Sequence, residues 1–433
     1  TKKEIEDFTI GKDNILDLEM AEFDVLGSLA HIHMLHKIGL LQKNELDQLS
    51  QGLKDILKLI HNGQFTIDKG VEDVHSQVEL MLGEIGKKIH SGRSRNDQVL
   101  LDLKLFFRKK IEEITFETEN LFNTLLHLSD QYQNILMPGY THNQVAMVSS
   151  FGLWFGAYAE TLTDDLTILQ CCYKIINKNP LGSGAGYGSS FPLDRDFVTE
   201  FLGFDDLNVN VIHAQMGRGK AETILAFAMA SIASTLGKMA MDITLYCNQN
   251  HGFISFPDEL TTGSSIMPHK KNPDVFELIR GKCNLIQGLP SRIQLLTANL
   301  PTGYHRDFQL LKEEIFPAIQ TLKECLKIAT FSLKQIKIRE DILSNEQYKY
   351  LFSVEEVNKL VLQGTPFRDA YQIIASQISK GSFSPDFQIA HTHIGSLGNP
   401  GNDRIRQKMK TVLESFNFEK VHKALSPFQP PLP

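Results

Sequence analysis

From Ala21 to Leu41, apolar residues (Phe23, Leu26, Leu29, Ala30, Ile32, Leu35, Ile38) recur mostly at three- and four-residue steps, the spacing of one helix face. Gly39 closes that segment. Asn44 is placed to cap a second one, which carries Leu46, Leu49, Leu53, Ile56, Leu57 and Ile60 before Asn62-Gly63. Residues 98–132, 143–176 and 212–248 are three far longer helix-compatible runs, well beyond the usual ~11–12 residues. The last of them contains Ala-Met-Ala-Ser-Ile-Ala-Ser-Thr-Leu-Gly at 228–237 and is small and apolar on nearly every side. A helix of that kind belongs in the centre of a bundle, among long helices of its own or of other copies of the chain. No alternating strand of useful length and no internal repeat stands out. The pattern predicts an all-α chain with a long central helical bundle. From near Lys337 the helices shorten, with a Gly-Thr-Pro turn at 364–366 and a loose exit at Pro427, Pro430, Pro431 and Pro433. Three domains are expected: a helical one at 1–92, the long-helix bundle at 93–336 and a small helical one at 337–433.

Charge narrows the partners. The 433 residues carry 44 Lys+Arg against 51 Asp+Glu, a formal net charge of −7. With no excess of cations to displace phosphate counterions, nucleic acid is not an expected partner. At 42% hydrophobic the chain can bury a large core. Its five cysteines are odd in number and form no Cys-x-x-Cys, which favours a reducing compartment over a disulfide framework. No run of about 18 apolar residues points to a membrane span. The opening Thr-Lys-Lys-Glu-Ile-Glu-Asp is too polar for a signal peptide, so a cytoplasmic enzyme is expected.

Four segments carry more chemistry than a scaffold needs. Ser91-Gly-Arg-Ser-Arg-Asn-Asp-Gln98 puts two arginines and small polar residues ahead of a long helix, which suits anions, although Asn96 could serve only as a cap. Met137-Pro-Gly-Tyr-Thr-His-Asn-Gln144 has capping-box spacing from Thr141 to Gln144; it makes His142 either a first-turn residue or part of a proton-shuttling pair. Gly263-Ser-Ser-Ile-Met-Pro-His-Lys-Lys-Asn-Pro-Asp274 is a loop of donors and ammonium groups suited to carboxylates, with Asn272 and Pro273 placed as N-cap and first residue of a helix. Gly303-Tyr-His-Arg-Asp-Phe-Gln-Leu-Leu-Lys312 interrupts a helical run, and Gln309 and Lys312 can share one face. Other candidates fail. Gly182–Gly188 has no register that gives G-x-G-x-x-G, Gly219-Lys220 is followed by Ala221 and is no P-loop, and His31 and His33 point to different sides of a helix. Zinc is not expected, since no His-Glu-x-x-His or Cys/His quartet occurs.

Taken together, these segments resemble the aspartase/fumarase superfamily of lyases. Gly263-Ser-Ser-Ile-Met-Pro-His-Lys-Lys-Asn272 matches its Gly-Ser-Ser-x-Met-Pro-x-Lys-x-Asn signature. Within it the chain is similar to the argininosuccinate lyases, through Glu72-Asp-Val-His75, Ser91–Gln98, Gly139-Tyr-Thr-His142, Pro180–Gly186, Phe191–Arg195 and Gly364-Thr-Pro-Phe-Arg-Asp-Ala370. His269 replaces the usual Gln of the signature, and Asp13 stands where a substrate-binding serine is usual. The resemblance implies a three-domain helical subunit and a homotetramer whose active sites draw on three chains. It implies reversible anti-elimination of argininosuccinate to arginine and fumarate without a cofactor. Ser264 would abstract the proton, while His142, oriented by Glu277, would act with Thr141 as the opposing acid/base group; the two roles could be exchanged. Lys270, Asn272 and the backbone of 264–265 would stabilise the dianionic carboxylate. Arg95, Asn96, Tyr304, Gln309, Lys312 and Asp13 would bind substrate. Adenylosuccinate lyase and a non-catalytic crystallin-like homologue stand as alternatives.

Overall fold

The computed structural model describes residues 2–428; Pro430, Pro431 and Pro433 lie outside them. The chain opens with α1 (Lys2–Ile10) and α2 (Asp13–Leu18), then the packed pair α3 (Ala21–Lys37) and α4 (Lys43–His61). Gly39 and Gly63 sit at φ +82° and +67° just past these two helices, where a side chain would be strained. α4 begins one residue before Asn44, because Glu45 accepts the Gln42 N–H at 2.9 Å. Its amphipathic face buries Leu46, Leu49, Leu53, Ile56 and Leu57 as the spacing predicts.

After α5 (Val74–Leu82) comes the longest element, α6 (Arg95–Gln131), of 37 residues. It packs against α3, α7 (Phe151–Ile176) and α13 (Leu310–Leu333). Phe106 of α6 stacks on Phe316 of α13, ring centroids 4.2 Å apart. The apolar helix is α10 (Lys220–Cys247), packed by α7, α11 (Asp274–Gln287), α12 (Leu289–Leu296) and α13. Contrary to the sequence expectation, α10 is long and apolar enough to cross a membrane; more than half of that window is buried inside the chain, as for a core helix. It also starts later than predicted. Residues 211–216 form a separate short helix, α9 (Val211–Met216), and Gly219 at φ +76° breaks the run before Lys220.

Among the described residues, the one substantial departure from the all-α pattern is a hairpin of β1 (Leu136–Thr141) and β2 (Gln144–Ser150), in a stretch predicted to begin a helix at 143. Thr141 pairs with Gln144, and His142 and Asn143 both take positive φ (55° and 58°), the two-residue turn that fits strand twist. The Thr-x-x-Gln spacing of a capping box is here the spacing of a hairpin. Short pairs complete the strands: β3 (Lys178–Asn179) with β4 (Asp206–Leu207), β5 (Ile254–Ser255) with β8 (Lys337–Ile338), and β6 (Thr262–Gly263) with β7 (Lys271–Asn272). α8 (Arg195–Phe201) lies beside β3 and β4. Toward the end, α14 (Ser353–Leu362) and α15 (Phe367–Ser379) share a small core of Val357, Ala370, Ile374 and Phe383. α16 (Asn402–Glu414) returns to the bundle through Asn402 and Ser129 (3.0 Å), and α17 (Phe418–Leu425) follows.

Several long helices keep large apolar side chains in water. Leu278 and Leu285 of α11 are 64% and 68% exposed, and Phe227 of α10 is 51% exposed.

Candidate active site

The start of α6, the turn before α5, α2 and the start of α13 meet around a cavity of about 240 Å3. Its walls bring together six residues predicted to bind substrate: Asp13, Arg95, Asn96, Tyr304, Gln309 and Lys312. Lys312 is buried in the first turn of α13, its Nζ 2.6 Å from Asp17 and 2.7 Å from Asp13. Burial raises the pKa of Asp13, and the adjacent Lys312 opposes that shift. Gln309 Nε2 donates to the carbonyls of Thr9 (2.9 Å) and Ile10 (3.0 Å), which closes the end of α1 over the cavity rim.

Arg95 begins α6. Its Nη1 donates to Asp73 (2.8 Å) and Glu72 (3.3 Å), and its Nη2 to Ser76 Oγ (2.8 Å). The cap of this helix is Ser94, whose N–H donates in turn to Asp97 (2.8 Å), so Asn96 is free to line the cavity. Asp97 also accepts the N–H groups of Gly182 (3.0 Å) and Gly184 (2.8 Å). Burial pushes Asp97 up to about 6 against those hydrogen bonds. The glycine-rich turn thus clamps to a carboxylate and cradles no phosphate.

The remaining predicted residues lie on two other segments, and none lines the cavity. Thr141 and His142 sit exposed at the hairpin tip. Ser264 and Lys270 lie on the loop that the β6–β7 pair closes, with Gly263 paired to Lys271. Thr262–Asp274 and Lys271–Asp258 contacts fasten the two ends. Ser264 Oγ accepts the N–H groups of Met267 (3.1 Å) and Ile266 (3.3 Å), donors that would favour negative charge on that oxygen. Lys271 is held by Asp258, whereas Lys270 has no ion-pair partner among the described residues. Asn272 belongs to β7 and does not cap α11; Pro273 takes the cap position, one residue later than predicted. Glu277 faces Arg280 of its own helix at 4.0 Å, and no hydrogen bond or ion pair joins it to His142 among the described residues.

Sequence reasoning passed over several cavity residues. Asp17, Glu72, Asp73, Arg218 and Arg306 also line the cavity and give the walls charges of both signs, with Arg306 3.5 Å from Glu72. Arg218 is buried against Glu222 (3.3 Å) and donates to the Phe308 carbonyl (2.8 Å). The signal available for it was slight: an arginine between two glycines that end a helix. A zwitterion with carboxylate, ammonium and guanidinium groups suits such a lining.

Residues 1–288 match the lyase family. An argininosuccinate lyase from Bacteroides fragilis is 58% identical over 98% of this chain and 95% of its own length. One from Bacteroides thetaiotaomicron is 57% identical over 98% and 96%. In three dimensions the fold is similar to that of an EDDS lyase variant with bound fumarate (TM-score 0.73, 22% identity, 95% of this chain and 90% of that one). Matched along almost its whole length, the chain belongs to the lyase family and, within it, to the argininosuccinate lyases.

Proposed function

We propose that this chain cleaves argininosuccinate reversibly to arginine and fumarate, and that the three segments above carry the reaction. The observation that supports this most directly is the cavity that gathers Asp13, Arg95, Asn96, Tyr304, Gln309 and Lys312 among charges of both signs. There the substrate is held by its charged ends. Ser264 abstracts a proton from the carbon next to a carboxylate, whose charge then spreads onto that carboxylate. Lys270, Asn272 and the backbone of 264–265 stabilise it. His142, oriented by Glu277 and aided by Thr141, protonates the departing guanidino nitrogen; the alternative assignment exchanges the acid and base roles of Ser264 and His142.

Hairpin tip and signature loop do not line the cavity of their own chain, and membership of the argininosuccinate lyases supports a homotetramer with sites shared among subunits. The exposed Leu278, Leu285 and Phe227 supply apolar surface for it. The division at 92 and 336 is proposed on the same footing, with the separate α14–α15 core as support for its last part. A cytoplasmic location suits five free cysteines.

The test is ultraviolet absorbance of released fumarate, with argininosuccinate and adenylosuccinate offered in parallel. Release from argininosuccinate alone is expected, and Ser264→Ala should lower turnover by ~10²–10⁴-fold with little change in binding. Release from adenylosuccinate alone would support the alternative enzyme, and release from neither a crystallin-like role.

A further inference from the structure

His75 occupies the first turn of α5, two residues after Asp73 and one before Ser76. Those two neighbours hold the guanidinium of Arg95, each at 2.8 Å. Asp73 also caps the helix, accepting the Ser76 N–H (2.8 Å) and hydroxyl (2.6 Å). The outer side of this turn therefore forms one rigid receptor for Arg95. On its inner side, His75 Nδ1 lies 3.0 Å from both oxygens of Asp24 on α3. Asp24 accepts Gln98 Nε2 of α6 as well (2.9 Å), and Asp102 of α6 lies 3.8 Å from the ring. All four residues are buried.

A buried ion pair of this kind seldom stabilises a fold more than apolar packing of the same volume would. Val74 and Val78 already bury the same helix. Their contact is non-directional, however, and leaves the helix free to rotate or slide by fractions of an ångström. A ring nitrogen bound to a fixed carboxylate removes that freedom. We propose that His75 is a positioning residue: bound through Nδ1 to Asp24, it sets the rotation of the first turn of α5, so that Asp73 and Ser76 present the Arg95 guanidinium at the cavity wall. Burial disfavours the charged ring, but Asp24, Asp102 and Asp73 together push His75 up to about 9, so the anchoring bond is charge-assisted near neutrality.

This inference rests on the reading of Arg95 as a substrate-binding residue, and its test has one arm that needs no reaction. In the full-length protein, modification of Arg95 by phenylglyoxal, mapped by peptide mass spectrometry, should be several-fold faster in His75→Leu than in wild type. His75→Asn, which keeps a donor near the Nδ1 position, should restore most of the protection. In the kinetic arm, His75→Leu should raise KM for argininosuccinate about tenfold while kcat stays within about threefold, since a mispositioned binding group weakens ground and transition states alike. In an Arg95→Lys background the same change should shift KM by less than about twofold. A structural defect alone would lower active enzyme without moving KM, and would persist in that background. Should His75→Leu fail to fold, Ser76→Ala reads the same receptor from its half-buried side, with KM expected to rise about threefold. Unaltered Arg95 modification in the leucine variant, or in Ser76→Ala where only that variant folds, overturns the proposal. Altered modification without any fumarate release by the wild type would overturn the proposed reaction and leave the positioning role standing.

Discussion

Two buried histidines within this N-terminal region have opposite needs, and pH separates them. His31, whose Nε2 lies 2.8 Å from the Ser91 carbonyl, is pushed down from 6.5 to about 3 by burial and by Arg93. His75 resists its own burial through Asp24 and Asp102 and is raised from 6.5 to about 9. The folded state therefore holds His31 neutral and His75 charged. Stability from His31 is fully present above pH 6.5 and is lost as pH falls from there toward 3. Stability from His75 is fully present below 6.5 and is lost as pH rises toward 9. Asp102, raised by burial and by Asp24 against His75 and Arg93, works in the same direction as His75, its contribution declining as pH rises above 3.8. The apparent unfolding temperature, followed by circular dichroism, should peak near neutrality and fall on both sides. His75→Asn should flatten the alkaline limb alone; an unchanged limb in that variant would mean the ring carries no charge in the folded protein. Neither histidine's charge state was legible beforehand. Glu72-Asp-Val-His75 identified a relative, but only the fold brings Asp24 and Asp102, 51 residues before and 27 after, to the same ring. Five of the six predicted cavity residues were legible because they lie in two short polar segments, 91–98 and 303–312, whereas Asp13 was placed only by its match to a family serine.

At the scale of elements, the long helices were read closely where a continuous apolar stripe meets a clear stop, as in α3, α4 and α6. The hairpin was missed because four residues that cap a helix and four that turn a hairpin share one spacing, and the strong helical pattern from Phe151 masks the alternation before it. The split before α10 was missed for a related reason. Periodicity continues across Gly217-Arg218-Gly219, and only the positive φ of Gly219 reveals the break. The turn itself is testable. Asn143 holds φ 58°, a conformation that asparagine and glycine tolerate and that costs a β-branched residue ~1–2 kcal/mol. Asn143→Gly should unfold in denaturant within a few tenths of a kcal/mol of the wild type. Asn143→Val should lose roughly 1–2 kcal/mol and, because the tip would open, most of its activity. Equal stability of the two variants would mean that the two-residue turn is not the conformation in solution.

At the scale of the whole molecule, the proposed reaction needs the cavity, the hairpin tip and the signature loop to serve one substrate. The cavity carries Lys312, buried between Asp13 and Asp17, while Ser264 lies on a loop fastened at both ends far along the chain. On the proposed reading, a loop held by a strand pair and by its flanking contacts serves a cavity on another subunit. Subunit mixing follows directly. Ser264→Ala keeps an intact cavity and Lys312→Met keeps an intact loop, and each should be nearly inactive alone. If tetramers are dissociated, mixed in equal amounts and reassembled at random, a site that takes its cavity from one subunit and its loop from another is intact at both stations in about a quarter of cases. Fumarate release should then recover to about a quarter of the wild-type rate per site. Sites built wholly from one chain would recover nothing, because every chain in the mixture carries one of the two lesions. The same mixture made without dissociation should stay inactive, which separates exchange of subunits from contamination by wild type. Sedimentation of the reassembled sample should show a tetramer. Absence of recovery in a properly reassembled tetramer would place cavity and loop in the same subunit and require the loop to move in a way its fastened ends oppose.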